Sequence, residues 1–252
     1  EHGEALLATN IAPRRQFGGT TGGTSGPPLR VALDRKVTLP RDRAYADAFF
    51  SRIGLSWRDR IAILQNDVLP IGRYTDYNIA KRRLRMDPFQ LTGDTVNAYV
   101  DAMRSSGMRA LHTYPSAADS LLRLAQSRSI ELGGLLDTVL VTSENIYPGQ
   151  RERIAAGYGA DVYTMYGHSE RLVFAGECRE RDGYHIYPGY GLVELLDGRG
   201  NVVHEPGVRG EIVGTGFNNP VMPLVRYRTG DHAEYAAGTC ACGCTWPRLV
   251  NV

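Results

Sequence analysis

From about residue 41 to residue 167 the sequence alternates between helix-period segments and short apolar runs, and no other feature constrains the fold as much. Between Arg41 and Ile53 the apolar residues Tyr45, Phe49 and Ile53 fall four apart, and Gly54 follows as a stop. Arg60 to Leu64 reads as a strand. A second helix starts at Asp94, with Val96, Val100 and Met103 on one face and Gly107 beyond its end. Ala110–Thr113 is a short strand, and Ser116 opens a helix through Leu121, Leu124 and Ala125. Leu136–Val141 then reads as a buried strand, Gln150–Ala156 as a helix and Val162–Met165 as a strand. Strands separated by helices of this length predict an α/β fold with a mostly parallel sheet and crossover helices. In such sheets ligands collect at the carboxyl ends of the strands.

After Gly167 the pattern changes. Tyr184–Ile186, Gly191–Leu196, Gly210–Thr215 and Leu224–Tyr227 read as short strands, with the turn Asp197-Gly-Arg-Gly200 between two of them. The expected organisation is therefore an α/β part over residues 1–166, followed by a small antiparallel, barrel-like β subdomain over 167–252. Charge narrows the function. With 29 basic and 27 acidic residues the net charge is only +2, which argues against a dedicated nucleic-acid binder. No apolar run approaches the roughly 18 residues of a membrane helix. Of the basic residues only Lys36 and Lys81 are lysines.

Three segments carry chemistry. Phe17-Gly-Gly-Thr-Thr-Gly-Gly-Thr-Ser-Gly-Pro-Pro28 is rich in groups that let backbone approach a phosphate and donate to it. It is not a Walker loop, because no Gly-Lys-Ser/Thr follows. Tyr166-Gly-His-Ser-Glu170 comes directly after a predicted strand, where a carboxylate can hold Mg²⁺ and a tyrosine can stack on a base. Tyr227-Arg-Thr-Gly-Asp231 offers an Asp able to accept two hydrogen bonds from a ribose diol. Each alone also fits an ordinary loop or turn.

Taken in order, these segments resemble the adenylate-forming superfamily of acyl-CoA synthetases, luciferases and peptide-synthetase adenylation domains. Thr21-Gly-Gly-Thr-Ser-Gly-Pro-Pro28 looks like its phosphate loop, Tyr166–Glu170 like its Tyr-Gly-x-Thr-Glu motif, and Tyr227–Asp231 is its Tyr-Arg-Thr-Gly-Asp motif unchanged. Gly210-Glu-Ile-Val213 resembles the strand just upstream. Tyr114-Pro-Ser116, Ser143-Glu144 and Cys240-Ala-Cys-Gly243 with Pro247-Arg-Leu249 are most similar to the phenylacetate–CoA ligase branch, which includes adenylation proteins of capsular polysaccharide biosynthesis.

The resemblance implies a set of roles. Thr20, Thr21, Gly22, Gly23, Thr24, Ser25 and Gly26 would wrap the ATP phosphates, with Thr21 and Glu170 counted as catalytic. Tyr166 and Gly167 would meet the adenine beside Ser143 and Glu144, Glu170 would bind Mg²⁺, and Asp231 would hold the ribose. The implied reaction joins a carboxylic acid, aromatic or otherwise apolar, to AMP and then passes it to coenzyme A. An amine or carrier-protein acceptor is the alternative, as is a nucleotide-binding module without turnover. Relatives in this branch carry about a hundred residues before the phosphate loop and a C-terminal lid with a catalytic lysine. This chain ends at Val252, where the hinge to that lid is expected, and neither Lys36 nor Lys81 stands where that lysine belongs. A homodimer is compatible with the sequence, and the expected localisation is cytoplasmic.

The four cysteines are clustered. Cys178 with His185, and Cys240 with Cys242, supply three thiols and an imidazole, a soft donor set suited to tetrahedral Zn²⁺. Cys244 is left as a spare or an alternative fourth ligand. His112 and Tyr114, at a predicted strand end, can line an acid pocket, though a satisfied core histidine is the blander reading. His168 lies inside the Tyr-Gly-His-Ser-Glu motif. Arg82-Arg83-Leu84-Arg85 is a short basic run that fits a solvated face.

Overall fold

The computed structural model describes residues 6–20 and 30–252. By packing, the chain divides into two compact units, Leu55–Thr164 and the combination of Glu1–Gly54 with Met165–Val252. The sequence reading grouped the first 54 residues with the α/β part. They join the β-rich part instead, because a hairpin of β1 (Gln16–Thr20) and β2 (Arg30–Asp34) packs Val31 and Leu33 among Leu172, Leu195 and Ile212. Helix α1 (Thr38–Arg52) follows that hairpin. Asp34 fixes the connection by accepting the Lys36 and Val37 amides and pairing with Arg15.

The Leu55–Thr164 unit is the expected parallel sheet. It contains β3 (Ile61–Leu64), β4 (Thr75–Asn78), β5 (Arg83–Met86), α2 (Val96–Ser105), β6 (Ala110–Thr113), α3 (Pro115–Ser127), β7 (Thr138–Val141) and α4 (Gln150–Tyr158). Strands β5, β3, β6, β7 and the start of β8 (Asp161–Gly167) run parallel in that order, and only β4, at the β5 edge, is antiparallel. The β4–β5 hairpin was not foreseen, since Thr-Asp-Tyr-Asn lacks apolar alternation. On one sheet face Ala62, Leu64, Leu84, Met86, Leu111, Val139 and Val141 are buried against Tyr99, Val100 and Met103 of α2 and Ala118, Leu121 and Leu122 of α3. Pro115 begins α3, where its missing amide costs nothing, and Gly159 ends α4 in the left-handed conformation (φ 60°) that glycine adopts without strain.

The second unit is antiparallel. Strand β8 pairs with β9 (Phe174–Gly176) through Met165–Gly167, and the sheet continues through β10 (Tyr184–Ile186). Beyond it come β15 (Arg248–Val250), β14 (Tyr227–Tyr235), β13 (Arg209–Gly216), β11 (Gly191–Leu196) and β12 (Val202–Val203). Of Leu224–Tyr227, read as a strand from sequence, only Tyr227 is strand, the first residue of β14, so the Tyr-Arg-Thr-Gly-Asp segment is itself strand. No helix among the described residues is long and apolar enough to cross a membrane.

Candidate functional site

In the β-rich unit, two sequence motifs meet. Tyr166, near the end of β8, donates its hydroxyl to Asp231 Oδ2 at 2.7 Å across 65 positions of sequence. Tyr227 donates to Glu170 Oε1 at 2.9 Å across 57. His168 Nδ1 lies 3.2 Å from Glu170 Oε2. Glu170 is buried, which by itself raises its pKa. The adjacent His168 ring, joined by Tyr227, outweighs that, and the carboxyl is held below its usual range. Burial, then the Asp231 bond, pushes the Tyr166 phenol up, so it remains a donor. Asp231 is exposed, and its amide donates to Thr229 Oγ1 at 3.1 Å.

Glu211, from the Gly-Glu-Ile-Val segment, anchors this arrangement, a role the sequence did not reveal. It is buried and accepts Arg228 Nε at 2.8 Å and the Gly230 amide at 3.3 Å. The Arg228 hydrogen bond holds its pKa down. The strand segment that carries Asp231 is thus tied to β13 by a side chain as well as by backbone pairing.

Thr20 is exposed at the end of β1. Thr21, Gly22, Gly23, Thr24, Ser25 and Gly26 lie outside the described residues. In the parallel-sheet unit, Ser143 follows β7 with φ 68°, a left-handed value uncommon for a residue with a side chain. Glu144 accepts the Ser116 amide at 3.1 Å and the Ser116 hydroxyl at 2.9 Å, placing its charge at the amino end of α3. His112, at the carboxyl end of β6, meets Thr142 Oγ1 at 3.1 Å through Nε2, and Gln65 Nε2 donates to the same oxygen at 3.0 Å. Desolvation, then the Arg83 charge, pushes the His112 pKa down to about 4, so the ring is neutral at pH 7.

Cys178, His185, Cys240 and Cys242 converge, with all four ligand atoms within 4.8 Å of one another. Cys178 Sγ and Cys240 Sγ are 3.6 Å apart, and Cys242 Sγ is 3.5 Å from His185 Nε2. A tetrahedral ion with ~2.3 Å bonds to sulfur and ~2.05 Å to nitrogen requires edges of ~3.8 Å and ~3.6 Å. Desolvation, then the Arg52 charge, lowers His185 to about 4, which keeps the ring neutral. Cys244 lies outside the set of four and accepts a hydrogen bond from Arg52 Nη1 at 3.4 Å, while Arg52 Nη2 reaches Cys242 Sγ at 3.8 Å.

No family model matches the chain. Among solved structures, 2-hydroxyisobutyryl-CoA ligase, crystallised with 2-HIB-AMP and CoA in the thioesterification state, superposes over 95% of this chain with a TM-score of 0.75 at 21% identity. VinN superposes over 97% with a TM-score of 0.62 at 19% identity. The chain therefore shares the fold of these proteins. Protein CapK of Staphylococcus aureus is 23% identical over 219 residues, 85% of this chain. Phenylacetate-coenzyme A ligase of Thermus thermophilus is 30% identical over 139 residues, 54% of this chain. The matched regions are 47% of CapK and 31% of the Thermus ligase, so this chain corresponds to under half of either relative.

Proposed function

We propose that this chain is the nucleotide- and acid-binding part of an ATP-dependent carboxylate ligase with coenzyme A as the acyl acceptor. The reading rests chiefly on one observation: the Tyr166–Glu170 and Tyr227–Asp231 segments hold each other through two hydrogen bonds. A carboxylate oxygen of the acid attacks the α-phosphorus of ATP in line. The bond from that phosphorus to the bridging oxygen breaks, and pyrophosphate leaves. In the second step the CoA sulfur, having lost its proton to water, bonds to the acyl carbon, the bond from that carbon to the phosphate oxygen breaks, and AMP leaves. Neither step needs a covalent protein group, so the residues act by positioning and by charge.

Asp231, exposed and oriented by the Tyr166 hydroxyl, takes the ribose diol, and the Tyr166 ring lies against the adenine. Thr20 and the following Thr21–Gly26 segment receive the phosphates. Glu170 offers an ionised oxygen donor of the kind Mg²⁺ prefers, and the ion would neutralise phosphate charge there. Tyr227 and His168 hold that carboxylate in one orientation. Zinc fits the Cys178, His185, Cys240 and Cys242 set on donor chemistry and edge lengths, and its part is structural. Reduced thiols in such a set suit a cytoplasmic setting.

Pyrophosphate release with ATP, Mg²⁺ and a panel of acids tests the reading in a protein that carries the whole ligase. Glu170→Ala and Asp231→Ala are each expected to lower release at least tenfold, about 1.4 kcal/mol of transition-state stabilisation. Unchanged rates in both overturn the assignment. Consumption of an amine without thioester formation would replace coenzyme A as the acceptor. For the metal, fewer than about 0.2 zinc per chain after mild purification excludes the site.

A further inference from the structure

Arg52 is the last residue of α1, and its guanidinium turns to sulfur rather than to a carboxylate. Nη1 donates to Cys244 Sγ at 3.4 Å and Nη2 to Cys242 Sγ at 3.8 Å. Among the described residues no Asp or Glu pairs with it. The Trp246 ring lies under the guanidinium, 5.1 Å from Cζ to the ring centroid, and packs at 4.9 Å against the buried Tyr187. One short segment, residues 242–246, thus supplies the ring and both thiols that hold Arg52. All of these residues belong to the β-rich unit.

Charge gives this contact a purpose. Cys242 is one of the four convergent donors and Cys244 is not. Three thiolates and a neutral imidazole around a divalent ion carry one net negative charge. Cys178, His185 and Cys240 are buried, so water screens that charge poorly. Cys242 is the exposed member, and a cavity of about 570 Å³ lined by Arg52, Arg179, Cys178, Cys242 and Cys244 opens onto the thiols. Of the two arginines on this cavity, only Arg52 donates to a thiol among the described residues. An N–H held on a thiolate draws electron density from the sulfur and lowers the charge that the ligand set must bear.

We propose that Arg52 is the counter-charge of the thiol centre: it balances the net charge of the loaded set and orients Cys242, the one ligand open to the cavity. The inference rests on the zinc reading of Cys178, His185, Cys240 and Cys242 above and extends it to a residue of α1 that no spacing in the sequence connects to the cysteines. It also gives Cys244 a part, since that thiol seats the guanidinium and is not a metal ligand. A lysine would bring the charge to one point, whereas the planar fork reaches two sulfurs at once.

Competition for zinc against a chromogenic chelator, on this chain with its thiols reduced and at neutral pH, tests this without turnover. Arg52→Leu removes donor and charge and is expected to weaken zinc binding about ten- to a hundredfold, the usual loss when a metal ligand's hydrogen-bond partner is removed. Arg52→Gln keeps a polar side chain without the charge and is expected to weaken it in the same sense, so a folding failure of one variant leaves the other decisive. Arg179→Leu, on the same cavity, is expected to bind zinc as the parent does. Cobalt(II) supplies a second readout. Without the N–H bond the Cys242 sulfur is easier to oxidise, so the thiolate-to-cobalt absorption is expected to move to longer wavelength in both Arg52 variants and to stay in place in Arg179→Leu. A merely structural role for Arg52 would leave that band where it is. Parent-level zinc affinity or an unmoved band in a folded Arg52 variant, or an equal loss in Arg179→Leu, overturns the role of Arg52 and leaves the metal site standing. A parent chain that binds neither zinc nor cobalt overturns both.

Discussion

Replacing Tyr227 with Phe removes one hydroxyl and tests whether Glu170 is held as an ionised, positioned carboxylate. The ring is retained, so the loss is confined to the 2.9 Å bond to Glu170 Oε1. A hydrogen bond to a charged group contributes about 1.5–3 kcal/mol, and Glu170 is only 7% exposed, so solvent cannot replace it fully. At 2–4 °C per kcal/mol for a chain of this size, a loss of ~2 kcal/mol lowers Tm by roughly 4–8 °C at pH 7. The pH dependence has a defined sign. Because the folded-state pKa of Glu170 lies below 4.5, its stabilisation is present in full above that value and is lost as pH falls through the folded pKa. The gap between parent and variant is therefore widest near neutrality and narrows as pH falls through the folded-state pKa of Glu170. Scanning calorimetry from pH 7.5 to 3.5 measures it. A variant as stable as the parent at pH 7, or a gap that widens in acid, refutes the account.

Other outcomes follow from packing and from the thiol cluster. A Cβ on Gly191 would run into the Leu172 carbonyl oxygen and lie 2.7 Å from that of Thr215, so Gly191→Ala is expected to cost at least ~2 kcal/mol, read from the urea midpoint. Leu122→Ala, in the α3 face of the parallel-sheet core, should cost about 2–5 kcal/mol by the same measurement. If zinc occupies the thiol site, chelation should lower the Tm of the parent but not of His185→Ala, and X-ray absorption of the parent should show three sulfurs at ~2.3 Å and one nitrogen at ~2.0 Å.

The α/β half of the fold was legible because its strands are short apolar runs and its helices keep a clean period, as in Val96, Val100 and Met103. What escaped was structure held by distant pairing. The β1–β2 hairpin is glycine-rich on one strand, and β4 is wholly polar or aromatic, so neither shows periodicity. The same limit applied to the site. Tyr166, Glu170 and Asp231 stood out because motifs carried them, whereas the clamp by Glu211 on Arg228 and the tie between Gln65 and Thr142 depend on register, which one strand's sequence does not contain. The thiol set was visible as spacing alone, since Cys240 and Cys242 are near neighbours and Cys178 brings His185 with it.

Those thiols also bear on how the chain would acquire its form. Cys178 and Cys240 are 62 positions apart, and the segment between them includes β10 through β14. An ion clasping both ends would close that stretch into a ring, and a covalent link around such a ring removes roughly 4 kcal/mol of entropy from the unfolded chain. A zinc clasp differs from a disulfide in being tied by supply. It could form only after Cys240 leaves the ribosome, and it would loosen when the free ion falls. The β-rich unit would then have a stability set partly by its surroundings, and the parallel sheet of Leu55–Thr164, which contributes no ligand, would not.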